Sequence, residues 1–69
     1  MEISVNWNDL DCENAEAKIK KCKKLYIVSI ESGLVRLNVK CTSTWEVLEF
    51  AEMLENIARK IREEGKNII

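Results

Sequence analysis

The sequence lacks histidine and proline, and its 69 residues include only two glycines, two tryptophans, one tyrosine and one phenylalanine. Without histidine, no Ser/His or Cys/His nucleophile pair can form within the chain, and a zinc site would need cysteine and carboxylate ligands alone. There is also no glycine-rich phosphate loop. We therefore expect that the chain is not an enzyme and that it holds no cofactor or metal ion.

Cysteine is scarce as well, with three residues at Cys12, Cys22 and Cys41. An odd number of cysteines without a secretory signal peptide is untypical of a disulfide-stabilised secreted domain. We therefore interpret all three as small buried hydrophobic side chains. No apolar run approaches the ~18 residues of a membrane-spanning helix, and the sequence predicts a soluble cytoplasmic protein with no membrane contact.

The chain has no large excess of positive or negative charge. It contains 11 basic and 12 acidic residues, and its net charge is −1. The basic residues nevertheless cluster in one segment, at Lys18, Lys20, Lys21, Lys23 and Lys24. Two interpretations remain open. The lysines form the solvated end of a helix, where they favour its dipole, or they contact nucleic-acid phosphates with help from Arg36 and Lys40.

The first third of the chain carries two periodic patterns. Apolar and polar residues alternate over residues 3–7, which predicts a half-buried strand. A spacing of 3, 4 and 3 then predicts a helix over residues 12–22, with Asp9 or Asp11 as its N-cap. The apolar face of that helix would consist of Cys12, Ala15, Ile19 and Cys22.

Residues 25–31 and 34–41 read as two strands of a hairpin joined at Ser32-Gly33. With Glu31 opposite Leu34, the apolar residues of both strands share one face, because side chains alternate with a period of two. That face would consist of Tyr26, Val28, Ile30, Val35, Leu37 and Val39.

The last helix is predicted over residues 44–64. It begins with the S-x-x-E capping box of Ser43 and Glu46, and Gly65 is the expected residue after its end. Its apolar residues span an arc of about 160°, whereas a helix that rests on a small core needs roughly 100°. These residues are Val47, Phe50, Ala51, Met53, Leu54, Ile57, Ala58 and Ile61.

Together the elements predict a single α+β domain over residues 1–69, in the order β-α-β-β-α. We expect a three-stranded, mainly antiparallel sheet with two helices on one face, which is a truncated ferredoxin-like arrangement. Only residues 67–69 are available for a fourth strand, so the sheet keeps an open edge. A symmetric dimer is a common way to cover such an edge.

The apolar surplus predicts a partner interface. Phe50, Met53 and Ile57 are spaced as the i, i+3 and i+7 anchors of a helix that meets a partner helix. Leu25, Ile27 and Leu34 would extend the interface over the outer sheet face. The alternative is that the first helix covers the surplus and that the remaining exposed apolar residues are ordinary.

The order of these pieces resembles the small dimerisation subunit of the archaeal and eukaryotic KEOPS complex, the CTAG-like small-subunit family. The matching pieces are a first strand at residues 3–7, an acidic start into an Ala-bearing helix at residues 11–15, the Ser32-Gly33 hairpin, and a long helix over residues 43–62. The resemblance covers nearly the whole chain. Family members often carry Leu-Arg near the start of the long helix, where this chain has WEVL at residues 45–48, which fits a divergent paralogue.

The resemblance implies a non-catalytic role. Subunits of that family pair through their sheets and dock helices on the catalytic ATPase-like subunit of a complex that makes threonylcarbamoyl-adenosine in tRNA. For this chain it implies a homodimer or a heterodimer with a similar small subunit, and an indirect tRNA contact through the lysines. Our hypothesis is a dimerisation and scaffolding subunit of a KEOPS-like complex, and the alternative is a small nucleic-acid-binding domain that uses the lysine-rich segment.

Overall fold

The structure, a computed structural model, describes residues 1–68 of the chain. It contains three strands, β1 (Glu16–Cys22), β2 (Leu25–Ser32) and β3 (Val35–Cys41), and one long helix, α1 (Thr44–Ile68). Short 3₁₀ turns at Trp7–Asp9 and Cys12–Asn14 precede the strands. The strands form one antiparallel sheet in the order β1-β2-β3. The α+β class and the three-stranded antiparallel sheet are therefore confirmed.

The predicted pair of helices is wrong, because the described residues contain a single helix longer than one turn. The element order is β-β-β-α, and a tight turn rather than a crossover helix joins β1 to β2. The ferredoxin-like arrangement is therefore not confirmed.

Residues 16–22 form a strand where the sequence predicted the second half of a helix. Ala17 and Ile19 lie opposite Ile30 and Val28 of β2. This pairing with an apolar central strand outweighs the helix propensity of the Glu, Ala and Lys residues, since strand preference depends mainly on neighbouring side chains. The predicted strand over residues 3–7 is also wrong, because that segment pairs with no strand of the described part of the chain.

Both hairpin turns contain a residue with positive φ at their first position. Lys23 (φ 57°) opens the turn between β1 and β2, and Gly33 (φ 58°) opens the turn between β2 and β3. Because the second turn consists of Gly33 and Leu34, Ser32 lies opposite Val35. The predicted register, which placed Ser32 and Gly33 in the turn, is therefore wrong by two residues.

A shift of two residues leaves the two faces of the sheet as predicted, because side chains alternate with a period of two. One face, here called the helix-side face, holds the pairs Val28–Val39 and Ile30–Leu37. It consists of Ala17, Ile19, Lys21, Tyr26, Val28, Ile30, Ser32, Val35, Leu37, Val39 and Cys41. The opposite side, here called the outer face, carries most of the charged strand residues.

Only two of the residues in the range 1–68 are buried, Val28 with 7% and Cys41 with 3% of its surface exposed. Both lie on the helix-side face. The helix contacts β2 and β3 sparsely, whereas the strands pair with one another along their length. Ile19 and Leu37 on the same face stay exposed. The helix therefore covers only one part of the sheet, and the core is very small.

The start of α1 is capped by Ser43, whose hydroxyl oxygen accepts a hydrogen bond from the backbone N–H of Glu46 at 3.2 Å. The Glu46 carboxylate in turn accepts from the backbone N–H of Thr42 at 2.7 Å and from its hydroxyl at 3.0 Å. In a standard capping box the glutamate would accept from the backbone N–H of Ser43. Here Glu46 accepts from Thr42, the residue before the cap. Two orphan donors at the helix start are satisfied in this way.

At its other end, α1 continues through Gly65, so the predicted helix end is wrong. A glycine inside a helix costs only about 1 kcal/mol, and Glu64 and Lys66 on either side are good helix formers. Asn67 and Ile68 belong to α1 and form no fourth strand, while Ile69 lies outside the described residues. Neither α1 nor any other helix within residues 1–68 is long and apolar enough to cross a membrane.

The helix is longer than the sheet. Its 25 residues span about 37 Å, whereas the 8 residues of β2 span about 27 Å. The radius of gyration is 14.0 Å, compared with about 11 Å for a compact domain of this length. The accessible surface is 6433 Å², compared with about 4,500 Å² for a compact monomer of this size. The chain therefore exposes roughly 2,000 Å² more than a self-contained domain would.

Candidate assembly surface

A continuous apolar stripe of α1 is largely open to solvent. Phe50, which lies near the start of the helix, is half-buried, but Ile57 is 42% and Ile61 is 65% exposed. Met53 and Leu54 are exposed as well. The exposure follows from the length of the helix, because the contacts with the sheet are few and α1 extends beyond the strands.

A shallow groove follows one flank of α1. Its floor is apolar and consists of Phe50, Met53 and Ile57, and its rims carry Glu46 near one end and Lys60 near the other. Every residue that lines the groove belongs to the helix, so the groove has no second wall within the described chain. The structure thus brings together the three helix residues of the predicted partner interface, whose role in binding stays a prediction.

The other three residues of the predicted interface do not join this groove. Leu25 and Ile27 lie on the outer face of β2, where Leu25 pairs with Cys22 and Ile27 lies between Lys20 and Lys40. Leu34 is in the hairpin turn and is 87% exposed. The predicted interface therefore divides into a helix surface, an outer sheet surface and an isolated turn residue.

The lysine-rich segment is not the end of a helix but an edge strand and its turn. Lys18 and Lys20 lie on the outer face, whereas Lys21 lies on the helix-side face with its Nζ 5.6 Å from the centre of the Tyr26 ring. Lys23 and Lys24 form the turn between β1 and β2. The interpretation of these lysines as charges that favour a helix dipole is therefore wrong.

The outer face is basic at one end and neutralised at the other. Lys20 and Lys40 flank Ile27 close to the Lys23-Lys24 turn. At the far end of the face, Arg36 forms an ion pair with Glu31 at 2.9 Å. The Lys18–Glu16 pair, at 3.6 Å, lies on the same face. Free positive charge is thus concentrated beside one turn.

The N-terminal segment is held against the Ser32–Leu34 turn by three hydrogen bonds, two to the Ser32 hydroxyl and one between backbones. The backbone N–H of Asp11 donates to the Ser32 hydroxyl at 2.9 Å, and that hydroxyl donates to the Asp11 carbonyl oxygen at 3.0 Å. The third contact joins Leu34 to Asp9. The Asp11 carboxylate accepts from the side chain of Asn14 at 2.9 Å, and this hydrogen bond lowers the pKa of Asp11.

The carboxyl group of Glu46 also has a lowered pKa. The largest cause is the hydrogen bond from the backbone N–H of Thr42, followed by the bond from its hydroxyl. Because both donors stabilise the ionised form, Glu46 stays negatively charged at one end of the groove.

The cysteines differ in exposure. Cys41 is buried, as predicted, but Cys12 and Cys22 are exposed, so the prediction is wrong for those two residues. The helix face that would have buried them does not form. Over residues 1–68, no three His, Cys, Asp or Glu side chains gather in a way that would hold a metal ion.

On the helix-side face, two exposed large apolar residues, Ile19 and Leu37, were absent from the predicted interface. Ile19 had been assigned to the apolar face of the first helix, and Leu37 to the sheet face that the helices would cover. The alternation of Ala17 and Ile19 with Lys18 and Lys20 was a signal for a strand, but the same residues also fit a helical spacing.

The comparisons with known proteins add no assignment: no family model, curated protein or solved structure matches the chain.

Proposed function

We propose that this chain is a non-catalytic dimerisation and scaffolding subunit, which completes its fold by covering its apolar surface with a partner protomer. The observation that carries this proposal is the very small core. Val28 and Cys41 are the only buried side chains of the described residues. A domain of this size is marginal even with a well-formed core, so an isolated protomer gains little stability from its own contacts.

The surplus surface has the size that a permanent interface requires. The excess of roughly 2,000 Å² per protomer corresponds to about 4,000 Å² for a pair, and obligate dimer interfaces bury about 2,000–5,000 Å² in total. Four of the exposed apolar residues, Met53, Leu54, Ile57 and Ile61, are contiguous along α1. This supports association through an extended surface rather than a small transient contact.

The test is the mass of the full-length chain in solution as a function of concentration. Size-exclusion chromatography with light scattering should give two chains per particle at high concentration and dissociation on dilution. The midpoint of thermal unfolding should rise with protein concentration, because association stabilises the folded state by mass action. A single-chain particle with a cooperative unfolding midpoint that is independent of concentration rejects the proposal.

The biological context that we propose is a KEOPS-like complex that makes threonylcarbamoyl-adenosine in tRNA. Two of the pieces that carry the resemblance, the glycine-turned hairpin and the long helix, are formed. The first strand and the Ala-bearing helix are not formed, so the context rests on the C-terminal half of the chain. Co-purification with the catalytic ATPase-like subunit of an archaeal KEOPS complex tests it, and failure to co-elute rejects the context without affecting self-association.

A second function, binding of a nucleic-acid backbone, is favoured by the basic end of the outer face. Lys20 and Lys40 stand on either side of Ile27, next to the Lys23-Lys24 turn. Backbone contacts through lysines produce binding that weakens steeply with salt. Fluorescence anisotropy with labelled tRNA at low salt tests this function. Lys20→Ala combined with Lys40→Ala should weaken binding, Lys66→Ala on the helix serves as control, and no binding at low salt rejects it.

A further inference from the structure

The apolar stripe of α1 has the spacing of a coiled coil. Val47, Phe50, Leu54, Ile57 and Ile61 follow one another at intervals of 3, 4, 3 and 4, which are the a and d positions of a heptad repeat. The described chain contains no second helix that could pack along this stripe. The stripe therefore fits a helix supplied by another protomer.

The charges of α1 are divided between its two halves. The first half carries four acidic residues, Glu46, Glu49, Glu52 and Glu55, and the second half begins with three basic residues, Arg59, Lys60 and Arg62. An antiparallel second copy of the helix places the acidic half of each protomer opposite the basic half of the other. A parallel copy places Glu46 beside Ala51 and Lys60 beside Gly65 of the second copy, so neither charge gains a partner of opposite sign.

We propose that α1 pairs antiparallel with α1 of a second copy of this chain, in the register that places Val47 level with Ile57 of the second copy and Phe50 level with its Leu54. The inference rests on the proposed self-association and specifies its surface. This register has four paired apolar layers related by a two-fold axis. On one flank of the stripe, Met53 faces its own copy at the axis, and Glu46 faces Lys60 of the second copy on both sides of it.

The groove supports the same register. It contains both Glu46 and Lys60 around the apolar floor that includes Met53, so the surface presents opposite charges at opposite ends of one apolar strip. An exposed glutamate is ionised at neutral pH, and the hydrogen bonds from Thr42 lower the pKa of Glu46 further.

Two alternative registers bring Glu64 into the apolar layers. Glu64 occupies the next d position of the heptad pattern. Sliding the antiparallel copy by one heptad sets Glu64 level with Val47, and a parallel in-register pair sets the two Glu64 residues against each other. In the proposed register, Glu64 lies beyond the last paired layer, where its charge stays in water.

Disulfide trapping tests the register with the full chain. In a background with Cys12→Ser and Cys22→Ser, Met53→Cys should form a disulfide-linked dimer under mild oxidation. A mixture of Glu46→Cys and Lys60→Cys chains should form the mixed dimer in preference to either homodimer. The background protein, in which Cys41 stays buried, and Arg59→Cys on the opposite side of the helix should give little cross-linking.

Charge reversal gives a second readout that does not depend on cysteine chemistry. Lys60→Glu places one glutamate opposite Glu46 on each side of the two-fold axis and should raise the dimer Kd about tenfold at low salt, because two ion pairs become two repulsive pairs. Lys66→Glu makes the same charge change away from the paired layers and should leave the Kd within about twofold, since isolated exposed charges contribute little. Circular dichroism of each variant controls for folding.

The outcomes separate this inference from the proposed function. A dimer that cross-links at position 53 and between positions 46 and 60 supports both. A dimer that cross-links at neither place, and whose Kd is unaffected by Lys60→Glu, overturns the helix register while the proposed self-association stands. A chain that never associates overturns both.

Discussion

The backbone N–H of Leu34 donates a hydrogen bond of 2.9 Å to the carbonyl oxygen of Asp9. This bond holds the N-terminal segment against the second hairpin turn, directly over Gly33. A Cβ atom at Gly33 would lie 2.5 Å from the same Asp9 oxygen and 3.1 Å from the backbone nitrogen of Asp11. The close approach of the two backbones therefore depends on the absence of a side chain at that position.

Gly33→Ala should destabilise the fold by about 1–3 kcal/mol, because alanine is strained at a φ of 58° and its methyl group would displace Asp9. Gly65→Ala is the matched control, since no atom lies within 4 Å of a Cβ there and the residue is helical. That variant should gain about 0.8–1 kcal/mol. Urea unfolding at one protein concentration measures both, and equal effects of the two substitutions would contradict the contact.

Val28→Ala should lower the free energy of unfolding by about 1–2 kcal/mol, because two methyl groups leave one of the few buried positions. Leu37→Ala is the comparison on the same face, where the side chain is exposed in a single protomer. Its cost should be small at low protein concentration and larger where the dimer is populated. A Leu37→Ala effect that does not change with concentration would exclude this face from the interface.

The carboxyl group of Glu46 should make the free energy of unfolding depend on pH in the acidic range. Its folded-state pKa lies below the ordinary value of 4.5, so its contribution is fully present above about pH 4.5 and is lost as the pH falls through the lowered pKa. Glu46→Gln removes the titration while keeping a side-chain oxygen that can accept from Thr42. The difference in melting temperature between wild type and variant, measured at one concentration, should therefore shrink as the pH falls. A difference that grows in acid would reverse the expected sign.

Met53→Glu should abolish or strongly weaken association, because it places a charge on the apolar floor of the groove. Leu48→Glu introduces the same charge at an exposed residue of the same helix that does not line the groove. Light scattering at matched concentrations compares the two variants with wild type. If Met53→Glu associates as the wild type does, the groove is not part of the interface.

Cys41 should resist alkylation in the folded protein, whereas Cys12 and Cys22 should react quickly, because only Cys41 is buried. Mass spectrometry after timed treatment with iodoacetamide counts the modified thiols. Protection of Cys41 should increase with protein concentration, since association suppresses the opening that exposes it. Three thiols that react at one rate would show that the Val28 and Cys41 core is not maintained in solution.

The C-terminal half of the fold was predictable because its signals are local. The Ser43 cap, the run of helix formers after Thr44 and the glycine of the hairpin each act over a few residues. The turn was misplaced by one residue, which shifts the register by two, since Ser32-Gly33 and Gly33-Leu34 are both acceptable two-residue turns and the face pattern is the same for either.

The N-terminal half was not predictable from local signals. Residues 16–22 are rich in Glu, Ala and Lys, and their spacing fits a helix as well as a strand. Their conformation depends on pairing with β2, which is a tertiary effect. The turn that makes this pairing possible has Lys23 rather than glycine at positive φ, so no residue type marks it. The three helix residues predicted as partner anchors line one groove, and their role in binding stays a prediction. The exposed Ile19 and Leu37 were missed with the strand.

The very small core should affect the steady-state amount of this protein in a cell. A protomer without a partner opens often, and open chains are removed by proteases. Because pairing depends on the product of two protomer concentrations, we expect the folded amount to fall more than proportionally when synthesis falls. Pulse-chase lifetimes at two expression levels would measure this. Under the proposed self-association, we therefore expect unpaired copies to be degraded and paired copies to persist, so that the lifetime of the chain increases with its abundance.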